Sequence, residues 1–260
     1  MAGVSALSVE IAAKTYPSRT PGASHTALSG LAFDIPEGQF LCIVGPSGSG
    51  KTTLLNIVSG LDPAFDGRVR MSDGAPPGDL RIGYMFQTPR LLPWLTVLEN
   101  VRIVMDKAGI ESGYAERLLA EMQLADVMDA FPNRLSGGMQ RRVALARAFA
   151  VRPKLLLMDE PFVSLEAPVA NKLRLLLLDT LHTHRTTVLF VTHDLGEALA
   201  LADRVIFLSP SPGRIVLDLP VLLPRPRIFG HPGIDALQRD LLSRYPQLLA
   251  GLVGVAHEGG

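Results

Sequence analysis

The chain predicts an α/β fold built on a mainly parallel sheet, with a small antiparallel layer and an inserted helical region. Three observations predict it. Short, near-continuous apolar runs (FLCIVG, LLLMDEP, TVLFVTHD, RVIFLS) alternate with helical patterns, as in a sheet covered on both faces. Several runs end on polar residues, which a parallel sheet gathers at its C-terminal edge, where ligands bind in open α/β folds. Between the first run and its helix lies GPSGSGKT, a glycine-rich turn closed by Lys and Thr.

Taken in order, FLCIVG (40–45) is a buried strand and KTTLLNIVSGL has helical spacing. RIGYMFQ (81–87), LLLMDEP (155–161) and TVLFVTHD (187–194) read as strands, the last followed by the helical LGEALALAD. RVIFLS (204–209) and GRIVLDL (213–219) are late strands. Between Pro89 and Pro153 helix dominates: TVLENVRIVMDKA, AERLLAEMQLADVMDAF and the run after LSGGM. The N-terminal stretch and 62–72 supply the antiparallel layer. These readings give a domain over 1–219 with a helical insertion near 89–153. LPVLLPRPR and IDALQRDLLSRY then form an extension over 220–260, which either caps the core or regulates it.

The 25 basic and 25 acidic residues cancel, so the chain has no general attraction for nucleic acid or anionic lipid, and no nucleic-acid partner is expected. The Arg141, Arg142, Arg147, Arg152 and Lys154 cluster reads as a solvated or packing face. The one cysteine, Cys42, cannot form an internal disulfide and sits in an apolar run as a small core residue. MAGVSALSVEIAAKTY is broken by Glu10 and Lys14 and lacks a secretory pattern, and LRLLLLDTL is too short to span a bilayer. The expectation is a cytosolic chain that serves any membrane from outside the lipid.

GPSGSGKT (45–52) fits G-x-x-x-x-G-K-[ST] in the strand–loop–helix context its mechanism needs. The glycines let backbone N–H groups curl around a phosphate, and the helix start adds partial positive charge. Lys51 reaches the β- and γ-phosphates, and the Thr52 hydroxyl suits Mg²⁺. Asp159 arrives at the sheet edge to hold Mg²⁺ through water, and Glu160 follows as a general base for the attacking water. His193, at the end of the next strand, would be structural if read alone, but its shared edge favours a catalytic role. Gln87 could bond a Mg²⁺ ligand and the attacking water. Nucleotide hydrolysis is the expected chemistry.

With LSGGM (135–139) added, the sequence resembles the ATP-binding-cassette ATPases over about residues 8–217. GPSGSGKT resembles their Walker A loop, Gln87 the Q-loop, LSGGM the signature, LLLMDE the Walker B strand and His193 the switch histidine. The resemblance implies a RecA-like P-loop NTPase core and ATP held by Gly45, Pro46, Ser47, Gly48, Ser49, Gly50, Lys51, Thr52 and Thr53. It further implies Mg²⁺ at Thr52, Gln87 and Asp159, with catalysis by Glu160, His193, Gln87 and Lys51. Tyr16 falls where the family stacks an aromatic on adenine, though it also reads as a strand-end tyrosine. Ser136, Gly137 and Gly138 would meet the γ-phosphate of ATP on the other subunit of a homodimer.

QTPRLLPWLTVLENV, MDEPF, FVTHDLGEALALADRVIFLSPSPGRI and LPRPR are similar to ATPases of bacterial nitrate, sulfonate and taurine importers. That similarity implies integral membrane permease subunits, an indirect solute-binding protein and a peripheral place on the cytoplasmic face of the inner membrane. Leu91, Leu92, Trp94 and Leu98 then lie beside the permease groove, or simply pack the helical insertion. The chain departs from the family at VSLEAP, where Glu166 replaces the usual Asp and Pro168 removes a donor. Met139 stands where glutamine is common. Two other readings share the loop. A DNA-maintenance ATPase would need long heptad arms, which are absent from the pattern, and a P-loop small-molecule kinase leaves LSGGM and His193 unexplained.

Overall fold

The computed structural model describes residues 5–17, 24–71, 81–225, 227 and 230–253. Residues 1–4 of the N-terminal stretch, Ser72, Pro226 of LPRPR and residues 254–260 of the extension lie outside the described residues. In chain order come β1 (Ser5–Pro17), β2 (Ser24–Pro36), β3 (Phe40–Val44), α1 (Lys51–Val58), β4 (Asp66–Met71) and β5 (Ile82–Met85). Then follow α2 (Val97–Arg102), α3 (Lys107–Glu111), α4 (Tyr114–Glu121), α5 (Gly137–Ala150), β6 (Leu155–Asp159) and α6 (Ala167–His184). The last are β7 (Thr187–Thr192), α7 (Leu195–Leu201), β8 (Arg204–Leu208), β9 (Ile215–Pro220) and α8 (Pro232–Arg244). The chain divides into two compact units, Met1–Asp79 with Thr187–Gly260, and Leu80–Thr186.

In the first unit, β1 pairs antiparallel with both β2 and β4. Leu7, Val9 and Ile11 are buried while Glu10 is exposed, the alternation of a sheet with one face on a core. The strands at both expected ends of this layer are present. The partner β2 went unread, although Leu31, Phe33 and Ile35 carry the same period. β3 is buried along its whole length and pairs in parallel with β7 on one side and β8 on the other. Burial of both faces explains why FLCIV, TVLFVT and RVIFL read as unbroken apolar runs. β9 adds to β8 antiparallel. Cys42 is fully buried, and desolvation pushes its thiol well up, which suits an inert core residue.

The extension is bound into this unit. Arg225 donates to Asp203 Oδ1 at 2.6 Å and to the Leu201 carbonyl at 2.7 Å, and Arg227 donates to the Leu199 carbonyl at 3.0 Å. The other Asp203 oxygen accepts from Phe40 N–H at 2.9 Å, so one carboxylate joins LPRPR to the start of the central strand. α8 packs against α7, burying Ile234 and Leu241. Of the two readings of the extension, capping is the one with structural contacts behind it.

In the second unit, β5 and β6 pair in parallel, Ile82 opposite Leu155 and Met85 opposite Met158. The helical region is more broken than the sequence pattern predicts. TVLENVRIVMDKA divides because Asp106 accepts from Gly109 N–H at 2.7 Å and starts a new helix, α3. AERLLAEMQLADVMDAF stops at Glu121, where Gln123 takes a left-handed φ of 57° and Leu124 N–H bonds the Leu119 carbonyl. The basic cluster splits, with Arg152 and Lys154 exposed and Arg141, Arg142 and Arg147 packed against main-chain carbonyls. Arg142 caps the Met122 and Gln123 carbonyls, and Arg147 those of Pro89 and Arg90. LRLLLLDTL belongs to α6, and no helix among the described residues is long and apolar enough to cross a membrane.

α5 lies directly against β5 because Gly83 has no side chain: a Cβ there would sit 2.4 Å from the Ala148 carbonyl oxygen. Backbone cannot yield as a flexible side chain does. Gly83→Ala is therefore expected to lower stability by about 1–3 kcal/mol, as overpacking does, measured by urea unfolding at constant m.

Candidate nucleotide site

The first unit carries the phosphate loop. β3 delivers the chain to Gly45, and α1 begins at Lys51 after Gly48 and Gly50 at φ of 80° and 88°. Only glycine adopts that left-handed geometry cheaply, and it is what turns the loop around its own backbone. Gly50 caps α1 with no side-chain hydrogen bond, and the first turn holds no acid, so helix-start N–H groups remain for a ligand. Lys51 is buried and folds over the loop, donating to the carbonyls of Gly45 at 2.8 Å and Pro46 at 3.0 Å. Ser49 is fully buried and its hydroxyl is orphaned among the described residues, a donor that a bound phosphate can satisfy. Ser47, Gly48 and Thr52 are exposed at the rim, with Thr53 half-buried behind them. These groups fit a nucleotide polyphosphate.

Tyr16 stands on β1 as a braced ring rather than a loose strand end. Its hydroxyl donates to Asp62 Oδ2 at 2.8 Å and lies 3.5 Å from the Thr53 hydroxyl, on the last residue of the Lys-Thr-Thr run. Asp62 Oδ1 takes the Lys14 ammonium at 2.5 Å, which also donates to the Ala64 carbonyl and sits 4.5 Å from the Tyr16 ring centroid. Lys14 and Asp62 were not read from the sequence. The β1 pairing shifts register between Ile11 and Ala13, which turns Lys14 inward against the strand's alternation, and no local pattern announces that.

His193 is exposed at the end of β7. Its neighbours are fixed: the Thr192 hydroxyl donates to Glu197 at 2.8 Å and accepts from Asp194 N–H, and Asp194 caps α7 through Glu197 N–H. The histidine is thereby presented on a rigid strand-to-helix turn.

The second unit carries the other expected residues. Asp159 ends β6 buried, and its charge adds to burial in raising the Tyr84 phenol. Glu160 follows at φ 42°, a strained conformation for a non-glycine residue of the kind that gathers at functional sites. Gln87 is exposed just past β5. Ser136 caps α5, accepting from Met139 N–H at 3.3 Å. Beyond it the two glycines differ. A Cβ on Gly137 would meet nothing within 4 Å, whereas one on Gly138 would lie 2.6 Å from Val169 Cγ1 on α6. A side chain at 138 would thus crowd Val169, whereas packing inside the chain gives no reason for a glycine at 137. The departure at VSLEAP is benign locally. Glu166 is the exposed N-cap residue of α6 and Pro168 its second helical position, where an N–H has no intrahelical partner to lose.

The loop carrying Trp94 is also rigid. Asn100 is fully buried and donates to the carbonyls of Leu92, Leu95 and Thr96 while accepting from Leu92 N–H. Trp94 is left 69% exposed, so it does not pack the helical insertion; Leu91, Leu92 and Leu98 are half-buried.

The Lys14 hydrogen bond, helped by Tyr16 against opposing burial, holds the Asp62 carboxyl below the usual range. Stability from that charge is present above the ordinary carboxylate pKa near about 4 and is lost as pH falls through the depressed folded value. Asp62→Asn, which leaves the buried Lys14 without its counter-charge, is expected to cost about 1–3 kcal/mol at pH 7, less than a fully buried pair. The gap to wild type should narrow in urea melts as pH falls below about 4.

The ABC transporter family model matches residues 28–163. An aliphatic sulfonates import ATP-binding protein of Burkholderia cenocepacia is 44% identical over 240 residues, 92% of this chain and 87% of that protein. Like-named proteins of Rhodococcus jostii and Pseudomonas syringae pv. tomato are 46% and 40% identical, spanning 84% and 86% of this chain and 86% and 94% of theirs. Among solved structures, a dimeric ATP-binding cassette, MJ0796, in a post-hydrolysis state with ADP and phosphate aligns with TM-score 0.71 and 33% identity. It covers 83% of this chain and 98% of that one. The RecA-like fold, the phosphate loop and these likenesses agree: the chain belongs to the ABC transporter family, as an ATP-binding cassette that hydrolyses ATP.

Proposed function

We propose that this chain is the ATP-hydrolysing subunit of a bacterial importer for aliphatic sulfonates or a closely similar small oxyanion such as taurine or nitrate. The solute class rests on likeness to sulfonate-import subunits at 40–46% identity over most of both chains. The single observation that carries the mechanism is the pair of open helix starts, α1 after GPSGSG and α5 at Gly137, one in each unit. A helix start left open in this way is an anion site. By the family resemblance the Gly137 start meets the phosphate loop of another copy, and the dimeric cassette among the similar solved structures supports a homodimer as the working form.

In this reading Gly45–Gly50 and Lys51 grip the phosphates of ATP, and Tyr16 offers its braced ring to adenine. Thr52, Gln87 and Asp159 supply oxygen donors to Mg²⁺, which neutralises phosphate charge when bound. Glu160 accepts the proton of the attacking water, His193 donates a hydrogen bond to the developing phosphate, and Ser136 and Gly137 close the site from the other subunit. ATP binds the closed dimer better than the open one, and that differential affinity is what moves the permease. Trp94, with Ile103 and Val104 exposed on the same unit, gives the permease an apolar foothold. The solute-binding protein acts through the permease, and the chain works at the cytoplasmic face of the inner membrane.

Glu160→Gln is expected to bind ATP, lose turnover by about 100-fold or more and accumulate as an ATP-bound dimer on size exclusion. Gly137→Asp should bind ATP with near wild-type affinity but neither dimerise nor hydrolyse. Wild-type turnover in the first variant removes Glu160 as the base, and in the second removes the shared site. Solute class is checked by uptake: vesicles holding this chain and its permease, with ATP inside and the solute-binding protein outside, should import labelled alkanesulfonate or taurine, and failure with every small oxyanion would overturn that assignment.

A further inference from the structure

Arg141 is one of the most buried charged residues of the chain, 8% exposed, and its partners are three main-chain carbonyls. Nη1 donates to the Gln87 carbonyl at 3.0 Å and the Pro161 carbonyl at 2.5 Å, and Nη2 to the Val163 carbonyl at 2.6 Å. The three carbonyls belong to the loops that follow β5 and β6. Arg141 itself lies one turn into α5, four residues after Gly137. Its neighbour Arg142 does something different, capping the end of α4.

The loop after β6 has reason to need an anchor. Glu160 and Ser164 both hold positive φ, 42° and 61°. Between them the chain folds as a tight turn, with Val163 N–H on the Glu160 carbonyl at 3.2 Å and Leu165 N–H on that of Phe162 at 3.3 Å. Two non-glycine residues in left-handed geometry persist only where the surroundings over-determine them. The guanidinium supplies that restraint from the outside of the turn. Its planar fork can address several oxygens at once, which a lysine ammonium on a flexible stem cannot match.

We propose that Arg141 is a positioning residue for hydrolysis. By holding the carbonyls of Gln87, Pro161 and Val163 on the helix that starts at Gly137, it fixes the backbone that aims Gln87 and Glu160. Phosphate arriving at the helix start then moves on one rigid body with the base and the glutamine. The proposal rests on the reading of Glu160 as the general base.

The test uses the full chain with its permease in vesicles, comparing Arg141→Met, Arg141→Lys and Glu160→Gln. Arg141→Met is expected to lose about 100-fold in kcat, the scale of a small misplacement of a catalytic group, with KM and fluorescent-ATP affinity within about threefold of wild type. Arg141→Lys should recover part of kcat. If folded Arg141→Met keeps wild-type kcat, or loses ATP affinity in step with kcat, the positioning role is overturned. Should Arg141→Met fail to fold, Arg141→Lys decides: lowered kcat at a native melting temperature supports the role, and wild-type kcat ends it. Glu160→Gln separates the premises. If it is inactive while Arg141→Met is active, only the positioning role falls; if it turns over normally, the base assignment falls and the proposal with it.

Discussion

The constraint on which the site depends is that a helix start must be left electrically open if it is to take a phosphate. An α-helix carries partial positive charge at its first turn, and proteins usually quench it with a nearby carboxylate. This chain does so almost everywhere. Glu99, Asp106, Glu116, Glu166, Asp194 with Glu197, and Asp235 stand at the N-cap or first turn of α2, α3, α4, α6, α7 and α8. Among the described residues, only α1 and α5 have no acid in either place; they start on Gly50 and Ser136. Those are the two helices that the phosphate loop and LSGGM open. Leaving both unquenched forgoes up to about 1 kcal/mol each in dipole stabilisation, a small loss beside the charge of a bound nucleotide.

That electrostatic choice was legible in sequence because it is local. GPSGSGKT and LSGGM are contiguous, and each needs only its own helix to act. The strands themselves were legible for a related reason: unbroken apolar runs mark β5, β6 and β7, and Gln87, Asp159 with Glu160, and His193 lie at or just past their ends. What stayed hidden depends on geometry that no short window encodes. Lys14 turns inward through a register shift in β1. Arg141 looks like one arginine in a basic cluster until the loops it holds have folded around it. The helical insertion was read as longer helices because periodicity continues through Asp106 and Gln123, while a cap and a left-handed residue end the helices there.

LSGGM itself shows how structure divides a single motif. Both glycines look equivalent as poor helix formers. Gly138 has a reason inside the chain, since Val169 fills the space a methyl would need, and Gly137 has none. After the serine cap, the first glycine is open and the second is crowded, so the pair is not one repeated device.

The altered loop after β6 bears on coupling in the same physical terms. Glu166 adds a methylene and Pro168 removes an N–H, yet neither disturbs the start of α6, because one side chain is in solvent and the other occupies a position whose N–H was never paired. The conformation that matters to Glu160 is set upstream, by the turn from Glu160 to Ser164 and the carbonyls Arg141 holds. Two strained residues at roughly 1–3 kcal/mol each would relax a loop left to itself. Charge-assisted hydrogen bonds from a desolvated guanidinium, at about 1.5–3 kcal/mol apiece, are of the size needed to oppose that. Glu166 and Pro168 thus fall outside the part of the loop under strain, so the conformation of Glu160 does not depend on the departure there.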